Sequence, residues 1–188
     1  MSFDTGAYGG VFAELISEKR LNPLDGGEEN TAAKNALDAL TVASAFAGKK
    51  VVDEDMAQAC ISGMWLYHNF LDASHTISQG IHTATGSYWH GIMHRREPDF
   101  SNSKYWFRKV GNHAIFDDLC KAAASIAGGV SGAPEFLTTQ AHWDAGAYVD
   151  LCADALEGRS AHDALCREIQ LREWELLFDY SYRKAVGE

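Results

Sequence analysis

Residues 68–100 read HNFLDASHTISQGIHTATGSYWHGIMHRREPDF. Two helical periods flank a glycine-bounded break in this segment. His68, Asp72 and His75 stand at i, i+4 and i+7, and His90, His94 and Glu97 repeat that spacing. At about 100° per residue, each trio shares one face of a helix. The first trio continues the apolar line of Ala57, Ile61 and Met64, so its face is expected to point inward. The connection GIHTATG is short, which favours an antiparallel pair. The two trios are therefore expected to face one cavity and to offer it four imidazoles and two carboxylates.

Working outward, the rest of the chain also reads as helix. Asp53 is a good N-cap, followed by Glu54 and Asp55 where the helix dipole favours acids, and this helix is expected to run to about residue 79. The next is expected over residues 87–97, ended by Pro98, and a short one over 102–110. Upstream, residues 11–19 fit a first helix, RLNPLDGGEEN a loop, and residues 31–48 a helix with Asn30 as N-cap and Gly48 as stop. Downstream, Ile115, Phe116, Leu119, Cys120, Ala123 and Ile126 mark one helical face, closed by Gly128 and Gly129. Pro134 suits the first turn of a helix reaching residue 156, and Ser160 with Asp163 opens a last one reaching 184. No stretch alternates apolar and polar residues long enough for a strand. The expected architecture is all-α, a single-domain helical bundle of about six to eight helices over residues 1–188.

Composition narrows the function classes. The chain has 188 residues, enough for one domain with a sizeable core. Its net charge is −10, yet residues 86–113 hold five of its sixteen basic side chains against two acids, so that stretch is +3 and the remainder −13. An acidic body argues against nucleic acid and anionic membranes as partners, while a basic island suits a small polar or anionic molecule. No apolar run approaches the roughly 18 residues of a membrane span, and the first ten residues lack the basic start of a secretory signal. Cys60, Cys120, Cys152 and Cys166 are widely spaced with no Cys-x-x-Cys pair, which reads as reduced core cysteine in a cytoplasmic protein.

Three chemistries fit the histidine segment. His68, His75, His90, His94 and Glu97 suit a divalent metal such as zinc, manganese or iron, because imidazole and carboxylate are common ligands of these ions. HGIMH lacks the glutamate of His-Glu-x-x-His, which excludes the zinc-protease motif. DASH matches one Asp/Glu-x-x-His element of the di-metal bundles, without a second. Metal-free acid–base catalysis is the second fit, with His75 and His90 moving protons and Asp72 orienting them. The third is structural: core histidines hydrogen-bonded to carboxylates and backbone.

Arg95 and Arg96 point about 100° apart, so one of them is a candidate to grip a substrate's negative group. Lys104 and Arg108 share a face of the following helix as second candidates. Tyr88 and Trp89 are candidates for an aromatic wall in the pocket. No Gly-x-Ser-x-Gly elbow and no phosphate-cradling glycine motif occurs. The competing function class is non-catalytic: a helical interaction module or homodimer using the aromatic and arginine side chains as its contact surface.

LDASHTISQ, GSYWHGIMHRREPDFSNSKYWFRKVGNH and the C-terminal LLFDYSYRKAVG resemble stretches of a family of uncharacterised bacterial and fungal proteins of about this length. The resemblance implies neither a substrate nor roles for these residues.

Overall fold

The computed structural model describes residues 3–188. Among them the chain is all-helical, with eleven α-helices and no strand. Four of the eleven are short: α1 (Gly10–Leu15), α2 (Lys34–Asp38), α3 (Val42–Ala45) and, later in the chain, α9 (Phe136–Thr139). The longer ones are α4 (Glu54–Tyr67), α5 (Leu71–Ser78), α6 (Ala84–Arg96), α7 (Phe100–Val110), α8 (Phe116–Ala127), α10 (Ala145–Leu156) and α11 (Asp163–Val186). No helix among the described residues is long and apolar enough to cross a membrane. All four cysteines are free thiols.

The class agrees with the sequence, but six to eight helices is too low a count. Three expected helices are each divided by local chemistry. The stretch 31–48 restarts at Thr41, whose hydroxyl accepts from Ser44 N while Ser44 Oγ accepts from Thr41 N, a reciprocal capping box. The stretch 134–156 restarts at Asp144, whose carboxylate caps Ala147 N. The third division matters most here. The expected helix over 53–79 ends at Tyr67, because Asn69 takes a left-handed conformation with φ 66°. Asn tolerates that region better than most side chains, and here both ends of its amide are bonded. Asn69 Nδ2 donates to Glu28 O at 2.8 Å and Oδ1 accepts from Arg96 Nη2 at 2.7 Å. Conversely, α6 begins three residues earlier than expected, capped by Thr83 onto Gly86 N.

The core is built around α11 and α6. At 24 residues, α11 is about 36 Å long, and it packs against α4, α8 and α10. Its Phe178 meets Tyr8 and Phe12 of the N-terminal segment edge to face, Tyr182 stacks on Phe46, and Trp174 stacks on Phe178. The other core helix, α6, packs against α4, α5 and α7, and twelve of its thirteen residues are buried. Two glycines allow this closeness. A Cβ on Gly63 of α4 would lie 2.8 Å from the Trp89 ring, and one on Gly86 would lie 2.2 Å from Ile81 O.

A helix buried all round must pair every polar side chain it carries. Along α6 the helical period sends successive residues to different neighbours. Tyr88 and Arg95, seven apart, meet Glu173 of α11 at 3.1 and 2.5 Å. Trp89 donates to Ser181 of α11. Thr85 bonds His113 Nε2 at 3.1 Å, and Gly91 O accepts from Ser103 of α7 at 2.7 Å. Glu173 and Arg95 are both essentially inaccessible to solvent. Burial works against the Arg95 charge, but Glu173 overrides it and holds the guanidinium above its usual range.

Two predictions follow from this packing. Removing one partner of a buried ion pair leaves an uncompensated charge, at a cost of about 3–5 kcal/mol. Arg95→Met alone or Glu173→Gln alone should therefore lower the urea-measured stability by about that amount, while the double variant Arg95→Met/Glu173→Met recovers most of it. Losses below about 1 kcal/mol for both single variants would contradict the pairing.

The second prediction concerns pH. His68 and His113 are buried, and desolvation lowers both to about 4. Each folded side chain refuses a proton that the unfolded chain accepts near pH 6.5. Their contribution to stability is thus complete above about pH 6.5 and is lost as pH falls toward about 4. The urea midpoint should fall across that window, and His113→Gln should flatten the fall.

Candidate metal centre

His75 lies on α5, and His90 and His94 lie one turn apart on α6. One ligand atom from each falls within 4.8 Å of the other two. The ring centroids are 4.6 Å apart for His75–His90, 4.6 Å for His90–His94 and 5.3 Å for His75–His94. His90 and His94 are buried and His75 is half-buried. The break at Asn69 lets this happen. It frees α5 from the line of α4, and Ser62 of α4 then pins it by bonding both Oγ and O of Ser74 at 3.0 Å.

Hydrogen bonding fixes which nitrogens are available. Ser78 Oγ donates to His75 O at 3.3 Å, which uses its single proton. With that proton on His75 O, the 3.2 Å contact between Ser78 Oγ and His90 Nδ1 suits an Nδ1–H donated to the hydroxyl, the tautomer that leaves the His90 Nε2 lone pair free. His94 Nδ1 donates to Glu97 Oε2 at 3.0 Å, so its lone pair is also on Nε2, where Asn102 Nδ2 approaches to 3.1 Å. Carboxylate or hydroxyl on one ring nitrogen, with a lone pair on the other, is the usual arrangement of a ligating histidine.

Electrostatics favour neutral imidazoles. Burial, helped by His94, His75 and Lys109, lowers His90 to about 3. Burial also lowers His94, against the opposing pull of Glu97. Trp106 of α7 covers the His90 ring with centroids 4.2 Å apart, and Lys109 sits 4.3 Å over the indole. The cluster therefore brings the lowered, neutral-favouring imidazoles of His90 and His94 beside His75, backed by one carboxylate and one hydroxyl, with its more open side at His75.

The other expected site residues are elsewhere. His68, at the end of α4, accepts from Asn30 Nδ2 at 2.9 Å and donates to Leu15 O at 3.1 Å, far round the turn from the cluster. The left-handed Asn69 breaks the i, i+4, i+7 relation on which its placement depended. Asp72 is exposed beside Lys34 and Asp38 rather than on the histidines. Glu97 reaches His94 as a hydrogen-bond acceptor and is not among the three converging ligand groups.

Neither arginine of the RR pair reaches the histidines. Arg95 is held by Glu173, stacked 4.7 Å from the Tyr148 ring. Arg96 binds Asp25 O, Gly26 O and Asn69 Oδ1. Tyr88 and Trp89 are fully buried core, not a pocket wall. Arg108 lies on a different face of α7 and lines a separate groove.

Sequence reasoning passed over Asn102 as a neighbour of the cluster and read Trp106, four residues on along the same face of α7, only among the aromatics that are core or pocket wall. It also passed over Glu173. Its flanks, REIQLREWE at residues 167–175, are rich in charge, so no local signal marked it as the buried acid.

Arg96 positions the site from behind, because it ties α6 to the Asn69 turn. Arg96→Ala strips three acceptors of their donor at once, one of them buried and two part-buried. It should cost roughly 3 kcal/mol or more in urea denaturation, and Arg96→Lys, which lacks the planar fork, should rescue little of it. Full rescue by lysine would show that charge alone suffices. Compared with known proteins, the chain matches no family model, no curated protein and no solved structure, so its functional reading rests on this geometry.

Proposed function

We propose that His75, His90 and His94 bind one divalent metal ion and that the protein uses it on a small polar or anionic molecule. The observation that carries this reading is the convergence of one ligand nitrogen from each of three imidazoles within 4.8 Å. A metal–nitrogen bond of about 2.1 Å places tetrahedral ligands about 3.4 Å apart. Small rotations of the three side chains close the difference. His90 and His94 need no change of tautomer, since Ser78 and Glu97 already hold Nδ1–H on each. The Asn102 amide at His94 Nε2 is the group that moves aside.

Three imidazoles without a carboxylate ligand favour zinc over manganese, which prefers oxygen donors; iron is the nearer competitor. Three protein ligands leave a coordination position open, the pattern of catalytic rather than structural zinc. A metal so bound would acidify water or polarise a carbonyl or phosphoryl oxygen, which supports hydrolytic or hydration chemistry. The ion's charge is not cancelled by the neutral ligands, so an anion or a developing negative charge is the favoured companion. Lys109, above Trp106, adds to that preference.

Metal analysis of the untagged protein tests this reading. About one equivalent of zinc or iron is expected in the wild type, and loss of it in His75→Ala, His90→Ala and His94→Ala. His68→Ala should keep the metal. Glu97→Gln should weaken binding roughly 10- to 100-fold, as loss of a ligand-orienting partner does. Trace metal in the wild type, or full occupancy in His90→Ala, would overturn it.

A further inference from the structure

On the other face of α7 lies a groove that the metal reading does not use. It has a volume of about 510 Å³ and runs between α7, the start of α8 and the first turn of α10, within the roughly 300–1,000 Å³ of small-molecule sites. Phe107, Phe116 and Trp143, all buried, form its floor. Lys104 and Arg108, one helical turn apart on α7, stand on its wall.

The two cations differ. Lys104 is paired with Asp150 of α10. Arg108 has no carboxylate partner among the described residues, and its one contact is the Tyr105 ring 5.9 Å away. An unpaired arginine over an apolar floor is unexpected in a chain of net charge −10, where acids are plentiful.

Ala145 and Gly146, the first two residues of α10, also line the groove. Their N–H groups have no intrahelical acceptor. The Asp144 side chain, also on the groove, is engaged with Ala147 N at 2.9 Å. Trp143 adds a buried Nε1–H that has no acceptor. The groove thus carries the Arg108 guanidinium and the two first-turn amides over an aromatic floor, with the Asp144 carboxylate and His142 also on its lining.

We propose that this groove binds a small organic anion: a planar apolar body carrying a carboxylate or a phosphate. The body stacks on Phe107, Phe116 and Trp143. The anionic head lies between the Arg108 guanidinium and the first-turn amides of α10. The proposal is independent of the metal centre, because α7 shows Asn102 and Trp106 to the histidines and Lys104 and Arg108 to the groove.

Isothermal titration of the full chain with phenyl phosphate and with benzoate tests it. One-to-one binding is expected for at least one probe, and comparing the two identifies the preferred head group. Arg108→Glu, an exposed and fold-neutral change, should weaken binding about tenfold or more. Benzyl alcohol, the neutral analogue, should bind at least about tenfold more weakly than the better anion. His90→Ala should bind the anion as the wild type does, which separates this groove from the metal centre. The proposal fails if neither anion binds at millimolar concentration, if Arg108→Glu leaves affinity unchanged, or if His90→Ala abolishes binding.

Discussion

The rest of the molecule depends on one constraint: α6 is enclosed by protein on nearly every side, yet it carries two histidines, two arginines, a tyrosine and a tryptophan. Each polar group on such a helix needs its own partner, since an unmet buried donor costs about 1–3 kcal/mol and an unmet charge more. The neighbours meet most of that demand, although Arg95 Nε and Nη1 are buried without a hydrogen-bond acceptor. The last helix supplies Glu173 and Ser181, the Asn69 side chain and the Asp25–Gly26 loop supply oxygen acceptors, and α7 supplies Ser103 as a donor. Hydrophobic contact decides that these helices pack together, and the polar partners of α6 decide in which rotation.

This division of labour also makes the histidine cluster stiff. His90 and His94 sit on the most enclosed helix of the fold, with their Nδ1 atoms tied to Ser78 and Glu97. Side chains fixed by packing and by outer hydrogen bonds hold a chosen geometry better than side chains on loops. The RR pair beside them belongs to the scaffold. Arg95 locks α6 to α11, Arg96 locks it to the turn that sets α5, and α5 delivers His75. The arginines act on the cluster through the backbone, not through a ligand.

Much of this was legible in the sequence, and the failures have physical causes. The helical class and the convergence of His75, His90 and His94 came from spacing and from a short connection, both local quantities. His68 and Asp72 were misplaced because the periodic argument assumed one continuous helix. The residue that breaks it, Asn69, is stabilised in its left-handed conformation by Glu28 and Arg96, remote in sequence. The roles of Arg95 and Arg96 were illegible for the same reason, since Glu173 lies 78 residues from Arg95. Tyr88 and Trp89 read more readily as core than as pocket wall, and their bonds to Glu173 and Ser181 of α11 place them in the core. The division of the 31–48 stretch was readable in principle, because Thr41 and Ser44 stand at capping-box spacing.

The all-round enclosure of α6 shapes how the protein can tolerate change. A point substitution in this helix disturbs one neighbour. A single-residue insertion or deletion near its start would turn every later side chain by about 100°. Tyr88 and Arg95 would leave Glu173, Arg96 would leave its carbonyl oxygens, and both histidines would rotate away from α5 together. The length of the segment from Thr83 to Arg96 is therefore as much a part of the site as the identity of its residues. Variation in the number of residues has room only in the loops, such as those around Gly129 and Gly158, where no buried polar register is at stake.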